Sequence, residues 1–249
     1  MWLLLGRIFR KESMKEFYSL SRYPGKTGEH FFNSMFKKFD MPYTYTALAC
    51  DNIADGVKQM KECDAAGFSI SMPFKTDVIK QIDFVENTVS RFDSCNTVYK
   101  ERDGLHGYNT DYFGAYHVLQ QLPENSKVSI LGDGAMGSMF KKILDDRALV
   151  YSRRLGNWEY RYRADDVVIN CTSYGTAAQD SPFNILPPVK LIIDLAIKPN
   201  QLEQQAAAAN VKYVGGMEFY KRQFIRQFGI YTKKLITIED VNSIWLNTW

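Results

Sequence analysis

Lys75 and Asp111 each stand where an apolar run stops and a helical pattern begins. Ser69-Ile70-Ser71-Met72-Pro73-Phe74-Lys75 closes one run, and Gly107-Tyr108-Asn109-Thr110-Asp111 closes another. The ends of strands in open α/β sheets face the ligand crevice. A lysine and an aspartate converging there can move a proton on and off an alcohol, the carboxylate orienting the ammonium. Taken singly, Asp111 also reads as a plain helix cap, and Lys75 as a solvated helix residue. A second chemical feature follows the apolar run Val128 to Leu131. It is Gly132-Asp133-Gly134-Ala135-Met136-Gly137, a G-x-G-x-x-G that opens a helical stretch from Ser138 to Leu144. In such a turn Gly132 permits the tight bend and Gly134 lets the backbone approach a pyrophosphate. Gly137 lets helix and strand pack closely, and the helix N-terminus faces the phosphates.

About 20 residues beyond such a turn, an NAD site carries Asp or Glu for the ribose 2′-hydroxyl. Here that place reads Tyr151-Ser152-Arg153-Arg154. Two guanidiniums and a hydroxyl suit a 2′-phosphate, so the expected cofactor is NADP rather than NAD.

The elements that must position these groups follow from the apolar pattern. Strands are expected at Glu16 to Ser21, Tyr43 to Cys50 and Gly67 to Met72, with helices from Gly28 to Phe39 and Ile53 to Ala65 between them. The alternation predicts parallel pairing. A helix over Tyr112 to Gln121 ends at Leu122-Pro123-Glu124-Asn125-Ser126, where the turn residues mark a domain boundary. Beyond it, Leu149 to Ser152, Val167 to Cys171, Leu191 to Leu195 and Val211 to Val214 read as short buried strands, and Met217 to Tyr231 and Ile238 to Leu246 as closing helices. Ala206 to Ala209 fall on a further helix. The expected fold is therefore α/β with two domains. An N-terminal substrate domain over residues 1–122 is completed by C-terminal helices over 223–249, and a Rossmann-type NADP-binding domain spans 123–222. Eleven residues separate Arg154 from Asp166, against at least about 10 to 12 for a parallel crossover with its helix. The crossover is thus expected to be shortened and its helix lost.

Composition narrows the partners. Of 249 residues, 45% are hydrophobic and 24% charged, which suits a globular core. The 31 basic residues are nearly matched by 28 acidic ones, leaving a net charge of +3 and no electrostatic case for nucleic acid. The apolar patch Trp2 to Leu5 is too short for a signal core or a membrane span, so a cytoplasmic protein without a membrane partner is expected. Residues 1–13 read as an extension before the first strand. Cys50, Cys63, Cys95 and Cys171 form no C-x-x-C, and His30, His106 and His117 share no ligand spacing, so neither a metal nor a disulfide framework is indicated. Monomer and homodimer both stay open.

The ordered pieces resemble the shikimate dehydrogenase family from about Lys15 to Thr232. They are Ser19-Leu20-Ser21, Phe32-Asn33, Ser71 to Lys75, Asn96-Thr97, Gly107 to Asp111, the glycine turn, Asn170 to Gly175, Gln223, and Phe228 to Thr232. The resemblance implies an NADP-dependent enzyme of the shikimate pathway of aromatic amino acid biosynthesis that interconverts 3-dehydroshikimate and shikimate. It further implies Lys75 and Asp111 as the catalytic pair, and Ser19, Ser21, Ser71, Asn96 and Gln223 as substrate contacts. The implied cofactor contacts are Gly132, Gly134, Ala135, Met136, Gly137, Ser152, Arg153, Arg154, Thr172 and Gly216. The chain departs from the family pattern at several places. Ser69 and Ser71 stand for the usual asparagine and threonine, Ile197 for a tyrosine, and Ser152-Arg153-Arg154 for Asn-Arg-Thr; Arg22 to Gly28 intervenes after the paired serines. A site built to hydrogen-bond hydroxyls loses much affinity when donors go missing. Weak shikimate turnover, or a closely related cyclic polyol acid as substrate, is therefore expected. The alternative is a non-catalytic relative that binds a small carboxylate or nucleotide as a sensor or partner.

Overall fold

The computed structural model describes residues 13–163, 165–175 and 180–245; residues 1–12 of the expected extension, and Leu246 of the last expected helix, lie outside them. The first half runs β1 (Lys15–Ser21), α1 (Thr27–Lys38), β2 (Tyr43–Ala49), α2 (Ile53–Glu62), β3 (Gly67–Ile70), β4 (Phe84–Val85), α3 (Asn87–Phe92), β5 (Thr97–Glu101), β6 (Gly104–Tyr108) and α4 (Asp111–Leu119). Its strands form one sheet in the order β2-β1-β3-β5-β6-β4. β1 is parallel to β2 and β3, as the helical crossovers require, but β5 runs antiparallel to both β3 and β6. Parallel pairing throughout is thereby corrected. Glu101 pairs with Gly104, so only Arg102 and Asp103 join β5 to β6, and a two-residue link can close a hairpin but not a crossover.

The second half runs β7 (Val128–Leu131), α5 (Ala135–Leu144), β8 (Ala148–Tyr151), β9 (Val167–Asn170), β10 (Leu191–Asp194), α6 (Gln201–Ala208), β11 (Lys212–Val214), α7 (Gly216–Thr232) and α8 (Ile238–Trp245). Its sheet is wholly parallel in the order β11-β10-β9-β7-β8. Every residue of β7, β9 and β10 is buried, because helices and loops cover both faces. Among the described residues, only a short 3₁₀ helix, Trp158–Arg163, stands between β8 and β9, so the crossover is cut short. Among the described residues β8 is the outermost strand, where the usual doubly wound order would place one more. The Asn157 side chain takes over at that edge, donating to the Val150 carbonyl at 2.8 Å and accepting from the Ser152 N–H at 2.9 Å.

Two cores flank the crevice, and α7 enters both. In the first, α1 lays Phe31, Phe32, Met35 and Phe36 against Phe17 of β1 and Tyr45 of β2, and α7 adds Phe224, Phe228 and Tyr231 at spacings of one helix face. In the second, Phe219 of α7 packs with Ala115 and Val118 of α4 and with Val128, Ile130 and Ile169. The helices α4 and α7 meet so closely that a Cβ at Gly114 would lie 2.7 Å from the Phe219 carbonyl oxygen.

Candidate active site

Strand ends deliver the polar groups to one cavity of about 210 Å³ between the two sheets. β1 brings Ser19 and Ser21, the segment after β3 brings Ser71 and Lys75, the start of β5 brings Asn96, and the start of α4 brings Asp111. Gln223 reaches in from α7. All seven residues expected at the catalytic and substrate positions therefore line one wall system, the serines of β1 included, in spite of the residues inserted after them. Lys75 Nζ donates to Asp111 Oδ2 at 2.6 Å, and Asn96 Nδ2 donates to Asp111 Oδ1 at 2.8 Å. The ion pair is shielded, with side-chain exposures of 16% for lysine and 6% for aspartate. Asp111 thus has both oxygens engaged, which fixes the ammonium at the cavity wall while leaving its other N–H groups for a ligand. Met136 of the glycine turn and Ile197 border the same cavity from the second half.

Behind this wall lies a polar layer whose members are mostly invisible as site residues in the sequence. Asn96 Oδ1 accepts from the Thr110 N–H at 2.8 Å and from the hydroxyls of Thr97 at 3.0 Å and Thr110 at 3.1 Å. Gln223 Nε2 donates to Thr110 Oγ1 at 3.1 Å and to Gln227 Oε1 at 2.9 Å. Gln227 Nε2 in turn reaches Ser69, Thr97 and Tyr231. Tyr45 and Gln227 both line the cavity. The available signals were the i, i+4 spacing of Gln223 and Gln227, which shares one helix face, and the inward alternation of Tyr43 and Tyr45 on β2.

The glycine turn has the form expected of it. Gly132 takes φ +96°, and a Cβ at Gly137 would fall 2.0 Å from the Gly132 carbonyl oxygen, so the turn presses directly on α5. Gly134 has open space where a Cβ would stand, and α5 starts without a side-chain cap, which leaves its first N–H groups to an incoming anion. Gly134 and Ala135 border a crevice shared with Lys75 and Pro73. Gly132, Ser152, Arg153, Arg154 and Thr172 line a further cavity of about 300 Å³ together with Trp158 and Tyr174. Gly216 stands apart from these cavities, its Cα packed on the backbone of Leu195 and Ala196 at the start of α7. Arg153 lies over the rings of Tyr174 at 5.6 Å and Trp158 at 6.0 Å and donates to the Tyr174 hydroxyl. Arg154 Nε is bound to Asp133 Oδ2 at 2.6 Å. Burial lifts the Asp133 carboxyl, but the hydrogen bonds from Arg154 and Ser152 outweigh it and hold the group below the usual carboxylate range. No group of three or more His, Cys, Asp or Glu among the described residues could hold a metal ion.

A two-lobed α/β chain with a polar pocket on one side of the crevice and a glycine turn on the other defines the class: a two-domain protein of the dinucleotide-binding kind. The comparisons with known proteins agree. Residues 29–98 match the family model for the shikimate dehydrogenase substrate binding domain. A shikimate dehydrogenase-like protein of Haemophilus influenzae is 22% identical over 241 residues, spanning 86% of this chain and 89% of that one. A shikimate dehydrogenase (NADP(+)) of Clostridium beijerinckii is 25% identical over 223 residues, spanning 78% and 83%. Among solved structures, shikimate 5-dehydrogenase from Thermus thermophilus in complex with NADP(H) and shikimate has the same fold, with a TM-score of 0.80 at 19% identity over 93% of this chain and 98% of that one. In sequence and in fold the chain is thus similar to shikimate dehydrogenases.

Proposed function

We propose that this protein is an NADP-linked oxidoreductase that interconverts the alcohol and ketone of shikimate or a closely related cyclic polyol acid. The carrying observation is the shielded Lys75–Asp111 pair, set in one cavity with Met136 of the glycine turn. The first half, with the end of α7, serves as the substrate lobe and the second as the nucleotide lobe. The open glycine turn and uncapped α5 suit a diphosphate, and the cavity holding Arg153, Ser152 and Thr172 suits an adenosine 2′-phosphate. When bound, the nicotinamide supplies the acceptor for hydride.

The chain's own groups then orient the substrate and handle the proton. Ser19, Ser21, Ser71 and Gln223 offer hydrogen bonds to the carboxylate and ring hydroxyls. The proton of the reacting hydroxyl passes into the Lys75–Asp111 pair, which behaves as one coupled acid–base unit. Asn96 holds Asp111 so that the pair keeps its geometry as charge moves. The non-catalytic reading draws support from the occupied state of Arg154 and from β8 standing, among the described residues, at the edge of its sheet beside the nucleotide cavity.

A spectrophotometric screen for NADPH formation with shikimate, quinate and amino-substituted analogues tests the proposal. Slow turnover of at least one is expected, and Lys75→Ala should lower kcat by about 10²- to 10⁴-fold with a smaller change in KM. A kcat/KM for shikimate above about 10⁵ M⁻¹s⁻¹ contradicts the expectation of weak turnover. Absence of NADPH with every compound, together with measurable ligand binding, favours the non-catalytic reading.

A further inference from the structure

Gln223 and Gln227 stand one turn apart on α7, and the polar layer behind the cavity fixes which way their amides point. Asp111 sets the direction, being a carboxylate paired with Lys75 that can only accept. Asn96 therefore faces it with Nδ2 at 2.8 Å. The Thr110 N–H, which can only donate, independently places Asn96 Oδ1 on the other side, also at 2.8 Å. The hydroxyls of Thr97 and Thr110 lie 3.0 and 3.1 Å from that oxygen, so each gives it a proton and keeps a lone pair for α7. Those lone pairs receive Gln227 Nε2 at 3.0 Å and Gln223 Nε2 at 3.1 Å.

The reverse setting of both amides fails on a count of protons. With Gln223 and Gln227 turned over, the two threonine hydroxyls would have to donate to α7, and each would then meet Asn96 Oδ1 oxygen to oxygen. Gln227 is 1% exposed, and its nitrogen would have Gln223 as its one partner among the described residues, leaving an N–H buried and unpaired. In the observed setting, Gln227 Nε2 has the oxygens of Ser69, Thr97 and Tyr231 at 2.7, 3.0 and 3.2 Å for its two N–H groups. Gln227 Oε1 takes an N–H of Gln223 at 2.9 Å.

Gln223 thereby spends both amide protons inside the protein, one on Thr110 and one on Gln227. Its Oε1 has no hydrogen-bond partner among the described residues, and Gln223 lines the cavity, so toward a ligand it is an acceptor only. The reacting oxygen of the substrate cannot sit there, because as a ketone it has no proton to give. We propose that Gln227 is a positioning residue: by holding Gln223 as an acceptor, it makes the cavity select a donating hydroxyl that the reaction leaves unchanged. The assignment rests on the proposed function, which supplies the polyol.

Calorimetry of wild type and Gln227→Met with shikimate, and with the three analogues in which fluorine replaces one ring hydroxyl, tests it. Fluorine cannot donate, so at the ring position facing Gln223 it leaves Oε1 unpaired. Methionine keeps the length of the side chain but offers Gln223 no acceptor, which frees an N–H and lets the amide turn over. In wild type the analogue fluorinated at that position is expected to bind about 10- to 100-fold more weakly than shikimate, as an unpaired buried acceptor implies. In the variant that ratio should fall below about 3-fold, while the ratios at the other two positions hold. A side chain that merely packs would weaken all four compounds alike. Ratios that are the same in both proteins therefore overturn the assignment to Gln227. So does a wild type that binds all three analogues as tightly as shikimate, a result that needs no folded variant. A wild type that does not bind shikimate overturns the proposed function and this assignment together.

Discussion

At the scale of single residues, the cavity proposed for the nucleotide holds an internal competition. Arg154 lies where a 2′-phosphate would want a guanidinium, yet its Nε already meets Asp133 at 2.6 Å, and its side chain is 75% exposed. Arg153, stacked near Tyr174 and Trp158, remains the better placed cation. Exposed ion pairs are worth about 0 to 1 kcal/mol, so release of Arg154 should change cofactor affinity only severalfold. Asp133→Asn is therefore expected to tighten NADP binding about 2- to 5-fold in calorimetry and to leave NAD nearly unchanged; an equal gain for both would show that Asp133 does not oppose the extra phosphate. That Lys75 and Asp111 meet in one cavity was legible in the sequence because strand ends and helix starts fix where their backbones lie, whereas Asn96 entered only through the family resemblance. Tyr45 and Gln227 were not legible, since a buried polar side chain reveals its role only through partners far along the chain, such as Ser69 and Thr97 for Gln227.

At the scale of elements, hydrophobic periodicity located the strands of the parallel second sheet to within a residue or two, because a strand buried on both faces leaves an unbroken apolar run. β5 and β6 escaped the parallel expectation because only Arg102 and Asp103 join them, too short a link for a crossover. Asn157 was hidden for a different reason: its side-chain amide copies the two bonds that a residue of a parallel neighbouring strand would make to positions 150 and 152. An edge without such cover is a template for pairing with another chain. Asn157→Ala should cost about 1 to 2 kcal/mol in a urea melt and promote association measurable by sedimentation. Unchanged stability with a monodisperse profile would mean that the short 3₁₀ segment protects β8 without the amide.

At the scale of the whole molecule, the pocket depends on a junction that no single lobe contains. α4 starts with Asp111 and packs its Ala115 and Val118 into the second core, while α7 starts beside Leu195 and Ala196 and carries Gln223 and Gln227 back to the first. The Thr110–Gln223 hydrogen bond at 3.1 Å ties the two helices at the cavity itself. Their closest approach is at Gly114, where an added Cβ would lie 2.7 Å from the Phe219 carbonyl oxygen and 2.8 Å from its ring. A backbone oxygen cannot swing aside, so Gly114→Ala must part the helices, at a cost of about 1 to 3 kcal/mol for overpacking. Asp111 and Gln223 would then shift relative to each other. Displacements of about 1 Å at a reacting geometry can cost about 10²-fold in rate. Because the glycine turn and Arg153 lie on β7, α5 and the segment after β8, cofactor binding should stay near wild type while substrate affinity and turnover fall together. Urea denaturation with separate calorimetric titrations of substrate and NADP checks this. Lost stability with intact substrate binding would show that the pocket is set by the first lobe alone.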